Sequence, residues 1–247
     1  MTGPVVVVHP DATTLADATA ARLLLRLQDA QAQDSPVHVA LTGGGMGARV
    51  LEAVTASPLR DVVDWTGVHV WWSDERFLPD GDPERNETQA RAAGLDALPI
   101  PPENVHAVPP PPAAAAPDDA AVAYAAELAR FAPPDGAGPA VPAFDVLILG
   151  VGPDGHVASL FPGNGSLAVV DRTTVAVTDS PKPPPERVSM TFPAIEAAAE
   201  VWLVVAGAEK APAVRRALEG APATEIPAAG VRGRSRTLWL VDLAAAS

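Results

Sequence analysis

The residues with the clearest capacity for chemistry form the short motif Asp154-Gly-His156, which follows an apolar run. A histidine exchanges a proton near neutral pH, and a carboxylate two residues away can orient the imidazole or a substrate. The motif therefore predicts an acid/base site. In the alternative interpretation, Asp154 only stabilises a turn and His156 begins the next helix.

The same segment also fits the G-x-G-x-x-G pattern of a dinucleotide-binding loop, as Gly150-Val-Gly-Pro-Asp-Gly155. That interpretation predicts binding of a nicotinamide cofactor. Two residues count against it, because Pro153 has no N–H to offer a phosphate and Asp154 would repel a pyrophosphate. The acid/base interpretation, which we prefer, requires no cofactor.

A second candidate site is the glycine-rich loop Thr42-Gly43-Gly44-Gly45, which follows the apolar run Val37–Leu41. Consecutive glycines let backbone N–H groups converge on an anion, and the N-terminus of a following helix favours negative charge. No Gly-Lys-Ser/Thr follows, so the loop is not a Walker A motif. We prefer a phosphate-binding loop to the alternative, a tight turn between strand and helix.

Further charged residues follow other predicted strands. Asp74-Glu-Arg76 places three charges in succession, which are hard to bury unless they are paired or used. Lys210 stands in the first turn of a predicted helix, where a cation opposes the helix dipole unless an anion binds there. Arg187 could hold a phosphate through a bidentate fork. The alternative for Asp74-Glu-Arg76 is a solvated turn with an internal Asp–Arg pair. The alternative for Lys210 and Arg187 is that both are surface charges.

Together these motifs resemble the 6-phosphogluconolactonase family, and they occur in the order that this family shows, over residues Thr42 to Asp242. The segments that carry the resemblance are Gly150-x-Gly152 with Asp154-Gly-His156 and Ala158–Gly163, Asp74-Glu-Arg-Phe77 with Asn86, Arg187-Val-Ser-Met-Thr191, and Gly207-x-x-Lys210. The chain departs from the family at Met46, where a serine or threonine is usual, so Thr42 or backbone groups must serve the phosphate there.

The resemblance implies hydrolysis of 6-phospho-D-glucono-1,5-lactone to 6-phospho-D-gluconate in the oxidative pentose phosphate pathway. His156 would take a proton from water, with Asp154 beside it, and Asp74 and Arg76 would line the sugar pocket. The phosphate would be held by the loop residues Thr42, Gly43, Gly44 and Gly45 together with Arg187 and Lys210. No metal and no cofactor is expected.

Two other functions remain open at this point. Glucosamine-6-phosphate deaminases share several of the motifs, but they carry a carboxylate shortly after the Asp-Gly-His motif. This chain has Val157-Ala-Ser-Leu-Phe-Pro162 there, with no carboxylate. The other possibility is a non-catalytic sugar-phosphate-binding protein, which would bind 6-phosphogluconate without turnover.

The composition limits the class of partner. The formal net charge is −13, which opposes binding to nucleic acid or to an anionic membrane surface. The chain has no cysteine, which excludes disulfides, and no apolar run long enough to span a bilayer. We expect a cytoplasmic protein, a monomer or small homo-oligomer, whose partner is a small phosphosugar lactone.

The elements that must position these residues alternate between strands and helices along the chain, which predicts a mostly parallel sheet. With the resemblance, the expected fold is α/β, a Rossmann-like three-layer α/β/α sandwich in one domain over residues 1–247. Parallel strands end at one edge of a sheet, so the candidate clusters should share one crevice. We predict structural roles for the remaining histidines, His9, His38, His69 and His106.

Overall fold

The computed structural model describes residues 3–34, 36–134, 136 and 138–247. Its strands are β1 Val5–His9, β2 Val37–Leu41, β3 Val68–Trp72, β4 Asp74–Arg76, β5 Phe144–Leu149, β6 Thr174–Val177, β7 Arg187–Met190, β8 Glu200–Val205 and β9 Arg236–Asp242. Its α-helices are α1 Ala12–Gln31, α2 Gly44–Ala56, α3 Asn86–Ala92, α4 Pro117–Arg130, α5 Phe192–Glu196, α6 Ala211–Leu218 and α7 Pro227–Gly230. None of these described helices is long and apolar enough to cross a membrane.

The centre of the molecule is a six-stranded parallel sheet in the order β1-β9-β8-β5-β2-β3. Apart from Asp145, strand β5 is apolar, as expected for a strand that is covered on both faces. Val146 and Ile148 contribute to one core cluster with α1, α2 and α3, while Leu147 and Leu149 contribute to another with α4, α5 and α6. Helices therefore cover both faces of the sheet, which confirms the predicted three-layer α/β/α architecture.

A second, smaller sheet of three antiparallel strands has the order β4-β7-β6. It pairs the charged segment Asp74–Arg76 with Arg187–Met190, so that Arg76 lies opposite Arg187. This antiparallel sheet was not predicted from the sequence. Its role is to bring two segments that are more than a hundred residues apart to the same side of the main sheet.

The order of the parallel strands reverses between β2 and β5. From β2 the chain continues outward to β3, whereas from β5 it continues in the other direction to β8 and β9. At such a reversal the loops leaving the two strands diverge and a crevice opens at their carboxyl ends. Here the two loops are joined by a hydrogen bond of 3.2 Å from the Gly150 N–H to Thr42 Oγ1.

At the amino ends of β2 and β3, away from this crevice, the rings of His38, His69 and His106 pack together. His106 stacks on Trp71 with ring centroids 3.8 Å apart, and its Nε2 lies 2.9 Å from His69 Nδ1. Trp71 Nε1 donates to His38 Nδ1 at 3.2 Å. These contacts agree with the structural roles that were predicted for the three histidines.

We expect this histidine cluster to make stability depend on pH. Burial, together with the neighbouring histidines, lowers the pKa of His38 from 6.5 to about 3. The unfolded chain therefore takes up a proton at His38 below pH 6.5 that the folded chain does not. The contribution of a neutral His38 to the free energy of unfolding is complete above pH 6.5. It decreases by about 1.4 kcal/mol per pH unit as the pH falls toward 3.

The measurement is urea unfolding of the wild-type protein and of His38→Asn at several pH values between 4 and 7. Asparagine can still accept from Trp71 Nε1 but does not titrate. Other groups titrate in both proteins, so the comparison isolates His38. The wild-type free energy of unfolding should fall more steeply toward low pH than that of the variant, and parallel curves would contradict the expectation.

Candidate active site

A cleft of about 210 Å³ lies at the carboxyl ends of β2 and β5, where the strand order reverses. Of the predicted site residues, only Asp154 is not part of its lining, and Asp154 contacts His156, which is. The lining contains the other predicted residues Thr42, Gly43, Gly44, Gly45, Asp74, Arg76, His156, Arg187 and Lys210. The structure thus brings the predicted set together, and it adds Lys182, Met46 and Asn86.

The turn after β5 places His156 and Asp154 side by side. The turn closes with hydrogen bonds from the Gly155 N–H to Gly152 O and from the Gly152 N–H to His156 O, both 2.9 Å. Gly155 has a φ of +84°, which a glycine adopts without strain. His156 lies in this irregular turn and does not begin a helix, so the alternative interpretation of the motif was wrong in that respect.

His156 Nδ1 lies 2.5 Å from Asp154 Oδ1. Burial alone would raise the pKa of the Asp154 carboxyl, but the hydrogen bonds from His156 and Lys182 and the charge of Lys182 outweigh it and hold that pKa well below its usual range. An ionised carboxylate can only accept, so Nδ1 carries the proton and Nε2 is left with a lone pair. The pair is therefore arranged as a base with an orienting carboxylate.

Lys182 is a neighbour of this pair that the sequence did not predict. Its Nζ lies 3.3 Å from Asp154 Oδ1 and 3.3 Å from His156 Nδ1. It comes from the proline-rich segment 179–186, whose composition is typical of a surface connection. The one available signal was that Lys182 and Lys210 are the only two lysines in a chain with 17 basic residues.

The three successive charges of β4 each have their own partner. Asp74 Oδ2 accepts from Ser159 Oγ at 2.6 Å, and Arg76 Nη1 donates to Glu84 O. The Glu75 carboxylate accepts from the N–H groups of Asn86 at 2.6 Å and of Glu87 at 2.9 Å, which caps the N-terminus of α3.

The carboxyl group of Glu75 is fully buried, and burial raises its pKa to about 7 even though Arg85 and three backbone N–H groups oppose this change. Glu75 also accepts from the backbone N–H of Arg76 at 2.8 Å. It therefore ties β4 to α3 and fixes the positions of Arg76 and Asn86, both of which line the cleft.

The glycine loop approaches Asn86 closely. A Cβ on Gly43 would lie 1.8 Å from Asn86 Oδ1, so only glycine fits at this position. The Gly44 N–H already donates to the side chain of Gln89 at 3.2 Å. The next backbone N–H groups, of Gly45 and Met46, are in the first turn of α2, where N–H groups lack a partner within the helix and can bind an anion.

Arg187 and Lys210 both reach the cleft, but their side chains are engaged differently. Arg187 is buried, and its Nε and Nη2 donate to the carbonyl oxygens of Lys182, Pro183 and Pro184 at 3.1–3.2 Å. Lys210 Nζ donates to Val151 O at 3.0 Å, and burial lowers its pKa. Two of the three Arg187 nitrogens are therefore held by the proline-rich segment.

Among the residues that the structure describes, no three His, Cys, Asp or Glu side chains are grouped so that they could hold a metal ion. One buried side-chain donor next to the cleft is still unused in the described part of the chain. This donor is Arg76 Nε, which has no hydrogen-bond partner among the described residues. The site thus combines a positioned base with cationic groups, which suits attack on an electrophile that carries negative charge.

Comparison with known proteins gives a consistent result. The family model described as "Glucosamine-6-phosphate isomerases/6-phosphogluconolactonase" matches residues 10–239. The 6-phosphogluconolactonase of Streptomyces coelicolor is 54% identical over 246 residues, which cover 99% of this chain and 94% of the relative. The 6-phosphogluconolactonase of Mycobacterium leprae is 43% identical over 242 residues, which cover 97% of this chain and 96% of the relative.

Solved structures agree with these relatives. The 6-phosphogluconolactonase of Trypanosoma brucei superposes with a TM-score of 0.85 at 27% identity, and the match covers 100% of this chain and 98% of that chain.

Proposed function

The chain belongs to the glucosamine-6-phosphate isomerase/6-phosphogluconolactonase family, and from this membership and the geometry of its site we propose that it is a lactone hydrolase that converts 6-phospho-D-glucono-1,5-lactone to 6-phospho-D-gluconate. The observation that carries the proposal is the 2.5 Å contact between His156 and Asp154 in a cleft that also contains Arg76, Lys182 and Lys210. An imidazole that is oriented by a carboxylate and surrounded by cations suits hydrolysis of an anionic ester.

In the proposed mechanism, His156 Nε2 removes a proton from a water molecule, and the water oxygen attacks the lactone carbonyl carbon. Asp154 keeps the proton of the imidazole on Nδ1, so that Nε2 is the basic atom. Negative charge develops on the carbonyl oxygen, and the unused Nε of Arg76 is a donor that could stabilise it. His156 then returns its proton to the departing ring oxygen.

The other end of the substrate would lie at the glycine loop. We propose that the backbone N–H groups of Gly45 and Met46 and the Lys210 ammonium bind the phosphate. Gly43 and Thr42 would shape the loop. Arg187, with two nitrogens already engaged, would contribute its remaining Nη1. The N-terminus of α2 favours negative charge at this point.

The test is turnover of the lactone, generated in place by oxidation of glucose 6-phosphate and followed above its spontaneous opening. We expect a kcat in the range typical of enzymes, roughly 1–10³ s⁻¹. Glucosamine 6-phosphate, assayed in parallel, should give no ammonia. Release of ammonia would identify a deaminase, and binding of 6-phosphogluconate without turnover of either substrate would identify a binding protein.

We also propose that the enzyme works in the cytoplasm as a monomer or small homo-oligomer. A phosphorylated sugar lactone carries charge that prevents it from crossing a bilayer, so enzyme and substrate must share a compartment.

A further inference from the structure

Both lysines of the chain line the same cleft, although the chain has 17 basic residues. Lys210 donates to the Val151 carbonyl, while Lys182 contacts the catalytic pair. Their charges lie close enough for Lys182 to lower the pKa of Lys210, although burial of Lys210 is the larger cause. A dianion in the cleft would relieve this repulsion.

The backbone at Lys182 is held in place by hydrogen bonds to its carbonyl group and to the two that follow. Arg187 Nη2 donates to the carbonyl oxygens of Lys182 at 3.2 Å and of Pro183 at 3.1 Å, and Arg187 Nε donates to Pro184 O at 3.1 Å. Ser180 Oγ donates to Lys182 O at 2.8 Å. The backbone is therefore fixed, while the side chain of Lys182 is 38% exposed.

In the structure, the Lys182 ammonium competes with His156 for one oxygen atom. Nζ and His156 Nδ1 both contact Asp154 Oδ1, at 3.3 Å and 2.5 Å. Nδ1 already carries the proton that Asp154 accepts, so it cannot accept one from Lys182. The ammonium thus partly neutralises the carboxylate and places a positive charge next to the imidazole ring. Both effects oppose formation of an imidazolium.

We propose that Lys182 is a positioning residue that couples occupation of the phosphate site to the basicity of His156. In the free protein its ammonium rests on Asp154 and weakens the base. A phosphate dianion bound in the cleft attracts the ammonium, so that Asp154 is left to His156 alone and the base becomes stronger only when substrate is present. This inference rests on the proposed function.

The other charged groups around the pair belong to three elements. Arg76 and Asp74 lie on β4, Arg187 on β7, and Lys210 precedes α6. Among the described residues, Lys182 is the cation that contacts both members of the pair. Its replacement should therefore alter the environment of His156 while the other groups stay in place.

The test compares wild-type protein with Lys182→Met and Lys182→Arg between pH 5.5 and 7.5. In Lys182→Met we expect kcat/KM to fall roughly 10- to 100-fold, because a charged hydrogen bond to the bound substrate is lost. Removal of the cation favours imidazolium, so the acid limb of kcat/KM, which reports the free enzyme, should move up by about one pH unit. The acid limb of kcat, which reports the complex, should move little.

Ionisation of the substrate phosphate contributes equally to all three proteins, so the difference between them isolates Lys182. Lys182→Arg should keep the wild-type pH profile. Identical profiles for wild type and Lys182→Met would overturn the proposal, because the lysine would then be a binding group only. An equal shift of the acid limbs of kcat/KM and of kcat in Lys182→Met would also overturn it, because the lysine would then remain in contact with His156 and Asp154 when substrate binds.

The absence of cysteine allows a chemical rescue. In Lys182→Cys, treatment with 2-bromoethylamine restores an ammonium on a side chain of nearly the same length, and we expect it to restore kcat/KM and the wild-type acid limb. Capping with iodoacetamide, which adds no charge, should restore neither. Rescue by both reagents, or by neither, would contradict a role for the charge.

A measurement without turnover separates this inference from the proposed function. The imidazole resonances of His156 can be titrated by NMR in the free proteins. The titration midpoint should lie about one pH unit higher in Lys182→Met than in wild type. A wild-type protein that does not open the lactone would refute the proposed function alone, whereas an unchanged midpoint would refute the role of Lys182 alone.

Discussion

Replacement of His156 by alanine is expected to lower kcat for lactone opening by roughly 10²–10⁴-fold, the usual contribution of a positioned general base. The cleft keeps Arg76, Lys182 and Lys210 in the variant, so electrostatic stabilisation and substrate binding remain. Some turnover above the spontaneous rate should therefore persist. Steady-state kinetics with lactone generated in place measures the loss.

Two controls test whether the loss of kcat is specific to the His156 imidazole. His9 lies at the end of β1, outside the cleft lining, so His9→Ala removes a histidine from the same edge of the sheet without touching the site. It should keep the wild-type kcat. The affinity of His156→Ala for 6-phosphogluconate, measured by calorimetry, should stay within a few-fold of wild type. A variant that retained more than half of the wild-type kcat would refute the role of His156 as base.

The strand ends explain why so much of the site could be predicted from the sequence. Thr42, Asp74 and Asp154 each follow an apolar run, and parallel strands bring their carboxyl ends to one edge. Long apolar runs and glycine-rich turns are local signals. The roles of Arg187 and Lys210, in contrast, were implied by the family resemblance, because each of them alone is typical of a surface charge. The position of the cleft followed from the alternation of strands and helices.

The parts that could not be predicted depend on contacts between distant segments. The strands β4 and β7 have three and four residues, too few to show a periodic pattern, and they pair across more than a hundred residues. Lys182 reaches His156 from a proline-rich segment whose carbonyl groups accept hydrogen bonds from the distant Arg187. Glu75 appeared as one of three equivalent charges until the structure showed it capping α3.

The second large effect is expected at a residue with no side chain. In Gly152→Ala, the new Cβ would lie 2.0 Å from His156 Nδ1 and 2.4 Å from Asp154 Oδ1, closer than real Cβ contacts allow. The pair must therefore move apart. Displacement of a catalytic group by about 1 Å can lower the rate by about 10²-fold, and we expect a loss of that size in kcat with little change in KM.

Gly165→Ala provides the matched control, because no atom lies within 4 Å of a Cβ at that position and its φ is not positive. It should keep full activity. A double-mutant cycle then locates the effect. In the His156→Ala background the imidazole that blocks the new Cβ is absent, so Gly152→Ala should lower kcat only slightly further. If Gly152→Ala lowered kcat by the same factor in both backgrounds, its effect would come from the backbone of the turn, and the steric argument for this glycine would be wrong.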